Sequence, residues 1–155
     1  MEENSLASTL AQVVFTPRRV IPAAGGPVLH MLRNDSPLFA GFGEVYFSEV
    51  EPFAVKGWKR HKEMVQNFVV PCGRIKFVLF DNRENSPSFG QLAEYELGRP
   101  DNYGLLTVPP MIWYSFACVG NISGLIANCA SLTHNPDESE KADINAPFIP
   151  YTWEI

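Results

Sequence analysis

Residues 64–81 read Met64-Val65-Gln66-Asn67-Phe68-Val69-Val70, then Pro71-Cys72-Gly73, then Arg74-Ile75-Lys76-Phe77-Val78-Leu79-Phe80-Asp81. Two runs rich in β-branched and aromatic residues flank a Pro–Gly turn, the pattern of neighbouring strands. The same pattern continues in both directions. After the polar loop 82–90, residues Gln91 to Leu97 alternate, with Leu92, Tyr95 and Leu97 apolar against Glu94 and Glu96. Tyr103 to Val108, Trp113 to Val119 and Gly124 to Leu132 follow as further strands, and Glu44 to Val50 precedes. Upstream, Gln12 to Val20, interrupted by Pro17, and Val28 to Arg33 read as shorter ones. Strands recur about every 10 residues, the cadence of an all-β sandwich or barrel. Asp137 to Ala142 is the one stretch that reads as helix, with Asn135 as its cap and Pro136 at the first helical position.

Composition agrees. Thirteen prolines and eleven glycines in 155 residues oppose long helices, and 46% hydrophobic residues suffice for a core. The expected organisation is a single domain over residues 1–155, with 1–10 frayed. A net charge of -5 repels phosphate backbones and argues against nucleic acid as a partner. Cys72, Cys118 and Cys129 lie in apolar runs and read as buried thiols of a reducing compartment. The N-terminus MEENSLAST carries acids where a secretory signal needs positive charge, and no apolar run is long enough to span a membrane. The expectation is a cytoplasmic protein without a membrane partner.

The chemistry concentrates in Lys56-Gly57-Trp58-Lys59-Arg60-His61-Lys62, five of whose seven residues are basic or histidine in an acidic chain. On a strand, Lys59 and His61 share one face, and Arg60 and Lys62 the other. The stretch reads either as an anion-facing wall or as a solvated edge strand guarded by charge. Trp58 beside Gly57 favours the wall. A second feature is Pro109-Pro110-Met111-Ile112-Trp113-Tyr114, where a rigid approach leads to an aromatic pair suited to a barrel mouth or a core. Phosphate-loop and nucleophile-elbow motifs are missing. His30, His61 and His134 are widely separated, so no metal site and no cofactor is expected.

Lys56-Gly57-Trp58-Lys59, Gly73 to Arg83, Ser86-Pro87-Ser88-Phe89-Gly90 and Val108-Pro109-Pro110, in this order, resemble the dTDP-4-dehydrorhamnose 3,5-epimerase family, with its R-G-L-H, G-E-V-x-D-V-x-V-D-x-R, S-P-T-F-G and I-P-P-G. Ile149-Pro150-Tyr151-Thr152-Trp153 is similar to that family's closing G-I-x-W. The resemblance covers roughly Phe42 to the C-terminus. It implies a cupin-type antiparallel jelly-roll barrel, a homodimer, and a nucleotide-sugar substrate with a 4-ketone. The family's catalytic histidine falls on Lys59, its lysine on Gln66, its acid tyrosine on Ala127, and the histidine's carboxylate partner near Ala146, with Asp143 close by. The sugar 3,4-ketoisomerases, a sister family with R-G-x-H-A-H-K, are similar at Lys56, Gly57, His61, Lys62 and Gln66. Their strand tyrosine falls near Tyr46, and their Pro-Pro-x-x-Trp on Pro109, Pro110 and Trp113.

The combined expectation is an isomerase or epimerase of 4-keto sugar nucleotides. His61 or Lys59 moves a proton next to the ketone, and Tyr46 or Tyr114 is the opposing acid. Lys56, Trp58, Arg60, Gln66, Trp113 and Asp143 are expected to bind substrate. An inactive cupin that binds a similar anion, and a metal-dependent cupin, are the competing readings.

Overall fold

The structure is a computed structural model and describes residues 10–155. The elements are β1 (Val14–Pro17), β2 (Val20–Ile21), β3 (Val28–Leu29), β4 (Glu44–Val50), β5 (Val55–His61), β6 (Gln66–Cys72), β7 (Ile75–Asp81), β8 (Leu92–Leu97), β9 (Gly104–Val108), β10 (Ile112–Cys118), β11 (Gly124–Ala130) and β12 (Ser139–Lys141). Two five-stranded antiparallel sheets, ordered β1-β9-β6-β11-β4 and β12-β5-β10-β7-β8, face each other as a jelly roll, and β2 and β3 form a small ribbon. Among the described residues there is no α-helix, only a 3-10 turn at Pro136–Glu138, and so no helix long and apolar enough to cross a membrane.

Alternation fixes the layers. Phe68, Leu106 and Ile126 of the first sheet meet Phe77, Leu79 and Tyr114 of the second in the interior, and the rings of Phe68 and Phe77 lie 5.2 Å apart. The odd-phase residues face outward. Trp58, Val78, Phe80 and Trp113 are covered by the C-terminal segment through Ala146, Ile149, Tyr151 and Trp153. On the other sheet, Val69, Leu105 and Ala127 are covered by Leu29, Met31 and Leu32. Leu10 is 2% exposed and belongs to the main core, so the frayed segment expected over 1–10 does not reach it; the rest of that expectation lies outside the described residues.

Two bulges interrupt the ladders. Lys56 pairs with Phe116 and Lys59 with Tyr114, so Gly57 and Trp58 together oppose Ser115. Between β6 and β11, Cys72 pairs with Leu125 and Val69 with Ala127, which leaves Pro71 at an irregularity where its missing N–H costs no ladder bond. Cys72 is exposed at the end of β6, in contrast to the buried thiol expected there, because the strand leaves the sheet toward the Gly73 turn. The helix expected at Asp137 to Ala142 is instead the 3-10 turn followed by β12. Asn135 does cap it, accepting from the Asp137 N–H, but Ser139 to Lys141 then pair with β5.

Asp81 ends β7 fully buried. Its carboxylate accepts from the Arg83 backbone N–H and guanidinium and from the hydroxyls of Ser86 and Ser88. Arg83 also reaches the Ala11 carbonyl and Gln12 Oε1, and Ser88 Oγ accepts from the Ala11 N–H. The Ser86 to Gly90 loop is therefore a structural knot that ties the chain ahead of β1 to the end of β7. Burial opposes ionisation, but the donors of Arg83, Ser86 and Ser88 outweigh it and hold Asp81 well below the ordinary carboxylate range. A depressed folded-state pKa contributes stability that is present above the unfolded value of 3.8 and is lost as pH falls through the folded one. Replacing Asp81 with Asn leaves Arg83 without its charge partner and is expected to cost about 3 kcal/mol. Urea unfolding at neutral pH measures this, and the deficit shrinks on acidification because only the wild type loses the carboxylate's contribution.

Candidate functional site

Between the sheets, where β4 and β5 form the rim, lies a cavity of about 440 Å³, of the size that small-ligand clefts have. Its lining includes Tyr46 and Ser48 of β4, Lys56 and Lys59 of β5, Phe68, Tyr114, Phe116, Ile126 and Lys141. The bulge explains the two β5 lysines. Three residues apart, Lys56 and Lys59 would project from opposite faces of a regular strand. The extra residue at Gly57–Trp58 brings both to the cavity side, each opposite an inward aromatic of β10. Lys141 stands across from Lys59 in the β12–β5 ladder. Three lysines thus ring one cavity of an acidic protein. Burial pulls the Lys59 amine below its ordinary pKa, and the neighbouring Lys141 adds to the effect.

Behind this wall lies a chain of buried polar groups. His61 is 5% exposed, and its Nδ1 stands 2.5 Å from Glu138 Oε1. Its Nε2 lies 3.2 Å from the Tyr114 hydroxyl. Glu138 Oε2 accepts from the backbone N–H groups of Glu63 and Met64 at 2.9 and 3.0 Å. For Glu138, burial pushes upward but is outweighed by the Glu63 and Met64 amides and by His61, so its pKa falls below the ordinary value. Burial lowers the His61 pKa, and Glu138 opposes it without reversing the direction. The resting pair is therefore an ionised carboxylate and a neutral imidazole. Glu138 accepts from the Nδ1–H, which leaves the Nε2 lone pair to accept from Tyr114. Burial also raises the Tyr114 phenol well above its usual pKa, with the Gln66 amide pulling the other way. Tyr114 donates to His61 as a neutral phenol.

Tyr46 faces this wall from the other sheet. Its hydroxyl accepts from Asn128 Nδ2 at 2.8 Å, and Asn128 also donates to Gln66 Oε1 at 2.5 Å. Gln66 and Asn128 are each 1% exposed.

Of the residues the sequence singled out, the fold gathers His61, Lys59, Lys56, Tyr114, Tyr46 and Gln66 in and around the cavity. Four others are held elsewhere. Trp58 borders the cavity, but its indole is packed in the outer cluster and donates to the Ile144 carbonyl. Arg60 projects outward, where it pairs with Glu140 and lies 4.7 Å over the Trp113 ring. Trp113 itself is buried under the C-terminal segment with Phe148 against it. Asp143 is exposed and accepts from the Asn145 N–H as a turn cap. The partner of the histidine is Glu138 rather than a residue near Ala146 or Asp143. Sequence reasoning also missed Lys141 and Asn128. For Glu138 the available signal was an acid in the run Asn135-Pro136-Asp137-Glu138, but that tetrapeptide reads as a helix start. Among the described residues, no three His, Cys, Asp or Glu side chains cluster to hold a metal ion.

No family model matches the sequence. The fold superposes on the crystal structure of a dTDP sugar isomerase from Desulfovibrio desulfuricans G20 with a TM-score of 0.92 and 55% identity, covering 94% of this chain and 92% of that one. The chain belongs to the family of that dTDP sugar isomerase. The chain is also 33% identical over 97 residues to the probable low-salt glycan biosynthesis epimerase of Haloferax volcanii, a match over 60% of this chain. That match spans 62% of the Haloferax protein's length. It is also 27% identical over 125 residues to the spore coat polysaccharide biosynthesis protein SpsL of Bacillus subtilis, covering 79% and 82% of the two chains.

Proposed function

We propose that the protein is an epimerase or isomerase of a nucleotide-activated 4-keto-6-deoxy sugar serving surface-carbohydrate biosynthesis. The observation that carries this reading is the buried Tyr114–His61–Glu138 chain, which ends on a cavity ringed by Lys56, Lys59 and Lys141. A diphosphate linker suits such a ring of cations, and it gives an acidic protein a reason to collect lysines at one place. Similarity to the dTDP sugar isomerase supports a nucleotide-sugar substrate, and the motif resemblance supports a ketone at C4.

The chemistry follows from the ketone. A carbonyl at C4 acidifies the adjacent C–H bond, so a base removes that proton while cations and donors hold the enolate oxygen. Tyr114 alone is a poor base, because burial disfavours its phenolate. With His61 behind it, the Tyr114 oxygen accepts the carbon-bound proton as its own hydrogen passes to Nε2. Glu138 stabilises the imidazolium that forms, so no phenolate has to accumulate. The Lys59 ammonium, on the strand next to Tyr114, neutralises the enolate oxygen. Tyr46 returns a proton from the opposite wall, which is what inversion or displacement of a proton along the sugar needs. Gln66 supports the wall, and Lys56 and Lys141 hold the diphosphate. No cofactor enters this scheme. A cytoplasmic setting suits the three free thiols.

We propose also that the chain is a homodimer paired through the outer face of β4. The segment through Met31 covers β6, β9 and β11. It leaves Phe42, Val45 and Phe47 at 69%, 49% and 65% exposure beside an unpaired strand edge. Static light scattering is expected to give a dimer for the wild type and a monomer for Phe47→Glu; a monomeric wild type contradicts the assignment.

Solvent deuterium entering dTDP-4-keto-6-deoxyglucose measures the enzymatic reading directly. Wild-type protein is expected to wash deuterium into the carbon next to the ketone. His61→Asn is expected to slow this by about 100- to 10,000-fold, the range of a general base, with nucleotide binding preserved. Full exchange in both His61→Asn and Lys59→Met would sink the mechanism, and nucleotide binding without wild-type exchange would favour an inactive binding cupin.

A further inference from the structure

The two tyrosines of the cavity differ in where their hydrogens go: that of Tyr114 is committed to His61, while Asn128 holds Tyr46 as an acceptor. Its Oδ1 accepts from the backbone N–H of Asn67 at 3.2 Å, which fixes which way the amide points. Asn67 is held in turn, because its own Oδ1 accepts from the Thr107 hydroxyl at 2.8 Å. The Asn128 Nδ2 group therefore faces the interior, where one hydrogen goes to Gln66 Oε1 and the other to the Tyr46 oxygen. An amide N–H only donates. Tyr46 must accept from it, and its own O–H is left free to turn into the cavity. Tyr114 is bound the other way round. Glu138 fixes the Nδ1–H tautomer of His61, Nε2 accepts, and the Tyr114 hydrogen is turned away from the cavity while its oxygen faces it.

We propose that Asn128 is a positioning residue that makes Tyr46 the proton donor of the reaction and thereby sets the direction in which the proton crosses the sugar. This rests on the epimerase or isomerase reading above and goes beyond it in assigning the roles of the two walls. The hydrogen-bond path between the tyrosines runs through the amides of Asn128 and Gln66, which do not ionise near neutral pH and relay no proton. The two walls are separate proton reservoirs. The proton taken by Tyr114 passes to His61, and Glu138 at the end of that chain borders a second hollow with Lys62 and Asp137. The proton delivered to product comes from Tyr46.

Separate reservoirs have a kinetic signature. When the donor wall fails, the base wall still removes a proton, exchanges it and returns it on the same side. Deuterium then enters recovered substrate while product does not form. Asn128→Asp places a carboxylate oxygen where the donor stood, so the Tyr46 hydrogen turns toward it and away from the sugar.

The experiment incubates wild type, Asn128→Asp and Tyr46→Phe with dTDP-4-keto-6-deoxyglucose in deuterium oxide, and follows label in recovered substrate and product by mass spectrometry and NMR. Asn128→Asp is expected to form product about 100-fold more slowly while label still enters substrate, with KM little changed, and Tyr46→Phe is expected to give the same split. If Asn128→Asp does not fold, Asn128→Ala, which removes the donor that holds Tyr46 as an acceptor and frees Gln66 Oε1 to draw the Tyr46 hydrogen away from the sugar, carries the test with the same split. Equal losses of exchange and product formation, or unchanged product formation, overturn the role of Asn128 and leave the enzymatic reading standing. Absence of exchange in the wild type overturns both.

Discussion

The buried contact between His61 and Glu138 is the constraint on which the rest of the site depends. An ionised carboxylate at 8% exposure is costly unless its oxygens are filled. Glu138 meets that condition with two backbone N–H groups on one oxygen and an imidazole on the other. Those partners lie at the end of β5 and in the turn that follows it. The chain must therefore bring residue 138 back across the sheet from β11, which is the work of the Asn135-capped turn and the short β12 ladder. The same ladder sets Lys141 opposite Lys59. One electrostatic requirement thus places the histidine's tautomer, the edge of the sheet and one of the three cavity lysines together.

The bulge in β5 is the second constraint. A regular strand would turn Lys56 outward with Trp58 and Arg60. The extra residue at Gly57–Trp58 divides β5 into two jobs. Lys56 and Lys59 turn to the cavity and His61 to the buried polar chain behind it, and Trp58 and Arg60 go outward to the C-terminal side. Ser115 sits opposite the bulge and closes it, donating to the Lys56 carbonyl and accepting from the Trp153 indole. The outer aromatic cluster is thereby tied to the geometry of the cavity wall, which its Trp58 also borders.

The strands were legible because alternation and turn residues act locally: Glu44–Val50 is read at its observed bounds, and Arg74 to Asp81 to within one residue. The pairing of Lys59 with His61 on one face was legible for the same reason. The inward turn of Lys56 was not, because a bulge is a relation between two strands, and Gly57 alone does not announce it. Glu138 was hidden by local chemistry that also suits a helix start; only the distant β5 decides that the segment extends. Trp58, Arg60 and Trp113 stood out as aromatic and cationic residues beside the right motif, but ring size and charge do not say on which face of a sheet a residue falls. Asn128 has no motif, and its importance comes from Asn67 and Tyr46, which lie on two other strands.

The central claim is that His61 rests as a neutral imidazole with its proton on Nδ1, held there by Glu138, and with Nε2 open to the Tyr114 hydroxyl. Nitrogen-15 NMR of the imidazole, in protein labelled at histidine and assigned with His61→Asn, reads this directly at neutral pH. The account predicts a protonated Nδ1 and an unprotonated Nε2. A proton on Nε2 instead, or an imidazolium that persists at neutral pH, would contradict it.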